Sequence, residues 1–139
     1  MRIEEKLKVK SIPTTDGNID IDAWADSLGY AIRDGQLMDG NNCRAVAVSP
    51  GYGAGWSTWN GLSPLDPVSN LILLTLKDKN DDNEFRELYE YIEGRGSTKE
   101  RYLSMEDVVI EWVSADVQFR VTEYDGHESI EYRYEQHWM

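Results

Sequence analysis

Four side chains able to do chemistry crowd together near the end of the chain: Glu123, Asp125, His127 and Glu128. Asp125-Gly126 lies between two runs that alternate in polarity, Val117–Tyr124 and His127–Tyr134, which is the mark of a β-hairpin closed by a two-residue turn. Pairing Tyr124 with His127 sets Val121 opposite Ile130, Phe119 opposite Tyr132 and Val117 opposite Tyr134, with Arg120 meeting Glu131 on the other face. The same register puts Glu123 directly opposite Glu128. Facing carboxylates raise each other's proton affinity, so the pair could serve as a general acid or hold a cation. At a hairpin tip both can instead stay in water, where the repulsion is small. Both readings are open.

The second stretch with chemical potential is Ser49-Pro50-Gly51-Tyr52-Gly53-Ala54-Gly55-Trp56-Ser57-Thr58-Trp59-Asn60. Its glycines would weaken a helix or a strand, so it reads as a loop. It follows an apolar run, Cys43–Ser49, that reads as a central strand. A strand entering a glycine-rich loop suggests phosphate binding, yet the lysine followed by serine or threonine is missing, and so is dinucleotide spacing. What is left is a backbone with amides at Gly53 and Gly55, the side chain of Asn60, and the rings of Tyr52, Trp56 and Trp59. Such rings can stack on a flat ligand while the polar groups bond its edges. Arg95, Lys99 and Arg101 are the places where an anionic ligand would find positive charge. The competing reading folds the rings inward as a small satellite of the core and leaves the glycines only to turn the chain.

The elements that must position these groups belong to one domain, residues 1–139, large enough to bury a core without disulfides or metals. The single cysteine, Cys43, sits in the apolar run and reads as a buried structural thiol in a reducing compartment. The longest apolar run, Leu71–Leu74, is too short to span a membrane, and the N-terminus lacks the apolar core of a signal peptide, so a cytoplasmic protein is expected. Twenty-six acids against fourteen bases give a net charge of −12. Residues 1–12 carry four bases against two acids, whereas residues 103–139 carry nine acids against two bases. A field of that sign repels phosphate backbones, which argues against direct nucleic-acid binding and favours basic partners, unless it serves solubility alone.

In chain order, Lys6–Ile12 alternates with period two and predicts a strand ending at Pro13, its lysines on one solvated face. Asp16-Gly17-Asn18 predicts a turn, followed by a helix over 20–34 with Ile21, Trp24, Ala25, Leu28, Ala31 and Ile32 on its apolar face and Gly35 as its stop. Gly29 inside that helix suggests close approach of another backbone. Asp22 and Asp26 share the opposite face, without a third residue to complete a metal site. Asp66 as cap and Pro67 at the first position start a buried helix over 67–77, and a second amphipathic helix covers 83–93. Val108–Val113 is a strand. The fold class is α+β, a mainly antiparallel sheet containing the C-terminal hairpin, with the helices packed on one face.

The glycine loop Pro50–Trp59, Val113, Phe119-Arg120-Val121 and the stretch Glu123-Tyr124-Asp125-Gly126-His127-Glu128-Ser129-Ile130-Glu131 together resemble a group of small acidic proteins of unassigned function encoded by tailed bacteriophages. The resemblance runs from the glycine loop to the chain end and implies a bacterial host, its cytoplasm as the compartment, and an accessory role against or within that host. It brings no catalytic residues and no cofactor with it.

Three functions are then in contention. The first is a stoichiometric inhibitor that covers the basic surface of a host defence or nucleic-acid-processing protein through Glu111, Glu131 and Glu135. The alternative is a sponge for a nucleotide-like small molecule held by the Gly51–Asn60 loop, with a homo-oligomer interface as one place for it. An enzyme using the Glu123–Glu128 cluster ranks last, for want of a nucleophile or a metal-ligand spacing. The expectation is a non-enzymatic protein binder without cofactor or metal.

Overall fold

Three of the four Asp-Gly pairs in the chain have both residues at positive φ: Asp16 and Gly17 (54° and 81°), Asp34 and Gly35 (53° and 73°), Asp125 and Gly126 (52° and 83°). That is the backbone of a type I′ turn, whose twist matches that of paired strands. Each therefore closes a two-residue hairpin: β1 (Thr14–Thr15) with β2 (Asn18–Ile19), β3 (Ala31–Arg33) with β4 (Gln36–Met38), and β7 (Gln118–Tyr124) with β8 (His127–Arg133). The computed structural model describes residues 2–51, 55–60, 62–76, 82–93, 105 and 107–133, without the side chain of Trp59.

The N-terminal segment corrects the sequence reading. Ile3–Val9 is a helix, α1, rather than the start of a strand. Glu4 and Glu5 occupy its first turn and Lys6 and Lys8 its last, the arrangement that the helix dipole favours. Leu7 is buried, while Lys6 and Lys10, one turn apart, reach Glu87 at 2.9 Å and Glu84 at 2.6 Å. Lys6 and Lys10 thus meet the acids of a later helix, α5 (Asp82–Glu93), instead of lining the solvated face of a strand.

The helix expected over 20–34 is α2, Ile21–Ser27, capped by the Asp20 carboxylate, which accepts from the Ala23 N–H at 3.0 Å. It stops at Gly29, whose φ of +88° is the left-handed end of a helix. A Cβ there would meet nothing within 4 Å, so Gly29 serves the turn and not a close packing contact. The remainder of the expected helix is the β3–β4 hairpin, with Gly35 at its turn. Trp24 is buried and donates its indole N–H to Thr75 Oγ1 at 3.0 Å, anchoring α2 to the end of the helix Pro67–Thr75, α4.

β5 (Cys43–Val48) lies between β4 and β6 (Val109–Ser114) in a four-stranded antiparallel sheet of order β3-β4-β5-β6. Its side chains divide the molecule. Ala45 and Ala47 face a core built with Trp24, Leu37, Trp56, Leu71, Phe85 and Leu88, while Val46 and Val48 face Phe119, Val121, Ile130 and Tyr132 of the hairpin. A short helix α3 (Ser57–Asn60) follows the loop; then come α4 (Pro67–Thr75) and α5 (Asp82–Glu93), close to the expected ranges. The Asp66 carboxylate caps α4 over the N–H groups of Val68 and Ser69, and Pro67 takes the first position as expected. Asn70, fully buried on α4, ties helix to sheet by donating to the carbonyls of Ala45 and Pro64, both at 3.2 Å.

The α+β class stands, with the helices on one face of the sheet. One detail differs: β7 and β8 form a two-stranded sheet of their own on the opposite face. Its register is the expected one from Tyr124–His127 to Phe119–Tyr132, with Arg120 Nη2 on Glu131 Oε1 at 2.8 Å. The pairing of Val117 with Tyr134 falls outside the described residues. Cys43 is half-buried, not a core thiol, and its Sγ lies 3.7 Å from the Asn41 carbonyl.

Candidate functional site

Alternation along the hairpin decides where its acids go. Phe119, Val121 and Glu123 share one face of β7, and Glu128, Ile130 and Tyr132 share the matching face of β8. Glu128 therefore continues the apolar face that packs on the sheet. It is fully buried. One carboxylate oxygen accepts from the Ser49 N–H at 2.9 Å; the other accepts from the Thr58 N–H at 3.0 Å and the Thr58 hydroxyl at 2.5 Å. The Glu128 N–H in turn donates to the Ser49 carbonyl at 2.7 Å. Three donors suit an acceptor-only carboxylate, and the short hydroxyl contact is of the charge-assisted kind.

Glu123 and Glu128, opposite each other in the register, sit in different surroundings. Glu123 is exposed and its Oε2 accepts from the Gly126 N–H at 2.7 Å, closing the hairpin turn. Glu128 instead clasps both ends of the glycine loop, Ser49 before it and Thr58 after it. Asp125 occupies the turn at positive φ, and His127 is half-buried beside it. Among the described residues no group of three or more His, Cys, Asp or Glu is placed to hold a metal ion. Asp22 and Asp26 are both exposed on α2.

The same clasp orients the loop's far end. Trp56 is fully buried, its ring edge-on to Phe85 with centroids 5.1 Å apart at 84°. Gly55 is buried, and buried Asn60 donates from Nδ2 to the Trp56 carbonyl at 2.8 Å. The expectation of a stacking platform is corrected for Trp56, because the core has taken its ring. At the near end, a Cβ added at Gly51 would sit 3.0 Å from the exposed Asp107 carboxyl, which would have to give by a few tenths of an ångström. Tyr52, Gly53, Arg95, Lys99, Arg101 and Glu135, and the Trp59 ring, lie outside what is described.

On the surface, the acids expected to face a partner differ in their state. Glu131 is engaged with Arg120. Glu111 stands exposed on β6 and has no ion-pair partner among the described residues. Near the start of α4 an open cleft of about 410 Å³ is lined in part by Leu62, Leu65, Asp66, Tyr89 and Glu93. Burial pushes the Asp66 carboxyl above its ordinary range, against the pull of its hydrogen bonds from Val68 and Ser69. Among the described residues the charged ones lining this cleft, Asp66 and Glu93, are acidic.

Sequence reasoning missed the clasp. The signal was the parity of the hairpin register, which puts Glu128 on the same face as Ile130 and Tyr132. Among the described residues no helix is long and apolar enough to cross a membrane. No family model, curated protein or solved structure matches the chain.

Proposed function

We propose that the chain works by stoichiometric binding, laying an acidic surface over the basic surface of another protein. The observation that carries this reading is Glu111, an exposed carboxylate on an edge strand of the four-stranded sheet with no counter-charge among the described residues. A net charge of −12 supplies the long-range attraction that steers a basic partner toward it. The phage setting implied by the loop and the hairpin makes the partner a host defence or nucleic-acid-processing protein in the bacterial cytoplasm. Occupying its basic site inhibits it. The reading involves no catalysis by this chain. The small-molecule alternative loses Trp56 as a stacking ring and keeps Tyr52 and Trp59.

Affinity capture from a bacterial lysate tests this, comparing the wild type with a variant carrying Glu111→Gln, Glu131→Gln and Glu135→Gln. The wild type is expected to retain one basic protein in equimolar amount at low salt and to release it at high salt, while the variant retains none. Retention of the same partner by the neutralised variant overturns the reading. A low-molecular-weight ligand on the native protein, seen as excess mass in native mass spectrometry, would favour the sponge instead.

A further inference from the structure

We propose that the outer edge of β6 is the docking site for an extended segment of the basic partner, rich in lysine or arginine, which adds to the sheet beside β6. This rests on the protein-binding reading above and gives it a geometry. β6 ends the sheet order β3-β4-β5-β6 and pairs with β5 over six consecutive residues, Val109 to Ser114, without a bulge. Among the described residues no strand lies on its other side. The phase of the ladder follows from the Ala115 N–H, which donates to the Asn42 carbonyl. Stepping by two, Val113, Glu111 and Val109 exchange bonds with β5, so Ile110 and Trp112 turn their N–H and C=O groups outward.

Proteins usually blunt such edges with short strands, lysines, prolines or bulges. The opposite edge of this sheet obeys that rule, since β3 is three residues long and ends in Arg33. β6 does not: Val109-Ile110-Glu111-Trp112-Val113-Ser114 contains no base, proline or glycine, and Val109 is 39 % exposed. The strand is also held in place. Ile110 and Trp112 pack against the main core, and the Trp112 ring lies 4.8 Å from that of Tyr30. A fixed, open edge offers main-chain bonds at little ordering cost.

Charge selects the occupant. Asp107, Glu111 and Asp116 are all exposed along this edge, and no base occurs between them. A second copy of the chain meets its own charges there. Antiparallel pairing about Glu111 sets Glu111 against itself, and the registers centred on Ile110 or Trp112 leave the two Glu111 side chains as diagonal neighbours on one face. An extended segment with a lysine or arginine beside Glu111 brings the opposite charge to that face, with exposed Asp107 and Asp116 flanking the strand at its two ends.

The test uses the full-length, ¹⁵N-labelled protein and two capped peptides of alternating lysine and valine, one ordinary and one methylated at every backbone nitrogen. Their charge is the same, and only the first has backbone N–H groups to donate to the Ile110 and Trp112 carbonyls. The ordinary peptide is expected to shift the Ile110 and Trp112 amide signals and slow their exchange. The methylated peptide should bind at least about tenfold more weakly. Val109→Lys, at an exposed position, should weaken binding of the ordinary peptide without lowering the melting temperature. Equal, salt-sensitive affinity for both peptides overturns strand addition and leaves the acidic-surface reading standing. Absence of any shift at Ile110 and Trp112 overturns strand addition whatever the capture experiment shows. Self-association abolished by Val109→Lys would assign the edge to a second copy and overturn the basic segment as its occupant.

Discussion

Glu128 and Ser49 are joined twice, by the Ser49 N–H to the Glu128 carboxylate at 2.9 Å and by the Glu128 N–H to the Ser49 carbonyl at 2.7 Å. The first prediction follows from that ring and its extension to Thr58. Glu128→Ala leaves the buried Ser49 N–H without its acceptor and frees the N–H and hydroxyl of exposed Thr58, and should cost about 2–3 kcal/mol. Glu128→Gln keeps one acceptor oxygen but turns an NH₂ group toward a donor, and should cost about 1–2 kcal/mol. Urea denaturation of the two variants measures both. An alanine variant within about 1 kcal/mol of wild type would contradict the clasp.

Trp56 is expected to behave as a core residue. Trp56→Ala should lose about 3–5 kcal/mol, whereas Trp56→Phe, which keeps an aromatic contact to Phe85, should lose less. A ligand platform would show the reverse pattern, with little change in thermal stability and a loss of retained ligand. Thermal melts of the two variants separate these cases.

Two helix caps should respond to pH in opposite senses. At Asp66 burial raises the folded carboxyl above its unfolded value, so its contribution is full below the unfolded pKa and is lost as pH rises through the folded one. Asn caps a helix about as well as Asp, so Asp66→Asn should gain on the wild type as pH climbs from the acid side to neutrality. At Asp20 the Ala23 N–H, then the Thr15 hydroxyl, lower the folded value; its contribution is present above the unfolded pKa and fades as pH falls through the folded one. Asp20→Asn should therefore lose on the wild type over the same climb. Melting temperatures of the three proteins between pH 3 and 7 give the slopes, and parallel curves would contradict both assignments.

The docking of α1 on α5 rests on Leu7 and on two ion pairs, of which Lys10–Glu84 is the shorter and less exposed. A double-mutant cycle on Lys10 and Glu84 should give a coupling of about 0.5–1 kcal/mol that shrinks with added salt. A coupling independent of salt would mean that the contact is packing of the lysine stem and not charge.

Much of the fold was legible wherever local chemistry and tertiary packing agree. Asp125-Gly126 set the β7–β8 register correctly, and Asp66-Pro67 marked the start of α4, because turn and cap geometry depend on adjacent residues. Asp34-Gly35 carries the same turn chemistry but follows an apolar spacing, Ile21 to Ile32, that mimics a longer helix. Gly29 was the earlier stop. Lys6–Ile12 alternates like a strand over a stretch too short to separate period two from a helix of two turns. Only the acids of α5, far along the chain, reveal which was right. Glu128 shows another limit: its register was available, but its burial depends on Ser49 and Thr58 arriving from a distant loop. The same holds for Trp56, whose fate depends on Phe85.

The pairing of β5 with β6 has a consequence for how the chain assembles. Val48 opposes Val109, so the whole span from Ser49 to Val108, with α3, α4 and α5, must be looped out before that ladder can zip. The three Asp-Gly hairpins need no such closure and can form within microseconds. During synthesis β5 waits for β6, and the face bearing Val46 and Val48 stays uncovered until the last hairpin emerges to cap it. The slow step of folding should therefore be the meeting of β5 and β6, with the C-terminal hairpin closing the molecule as its final piece.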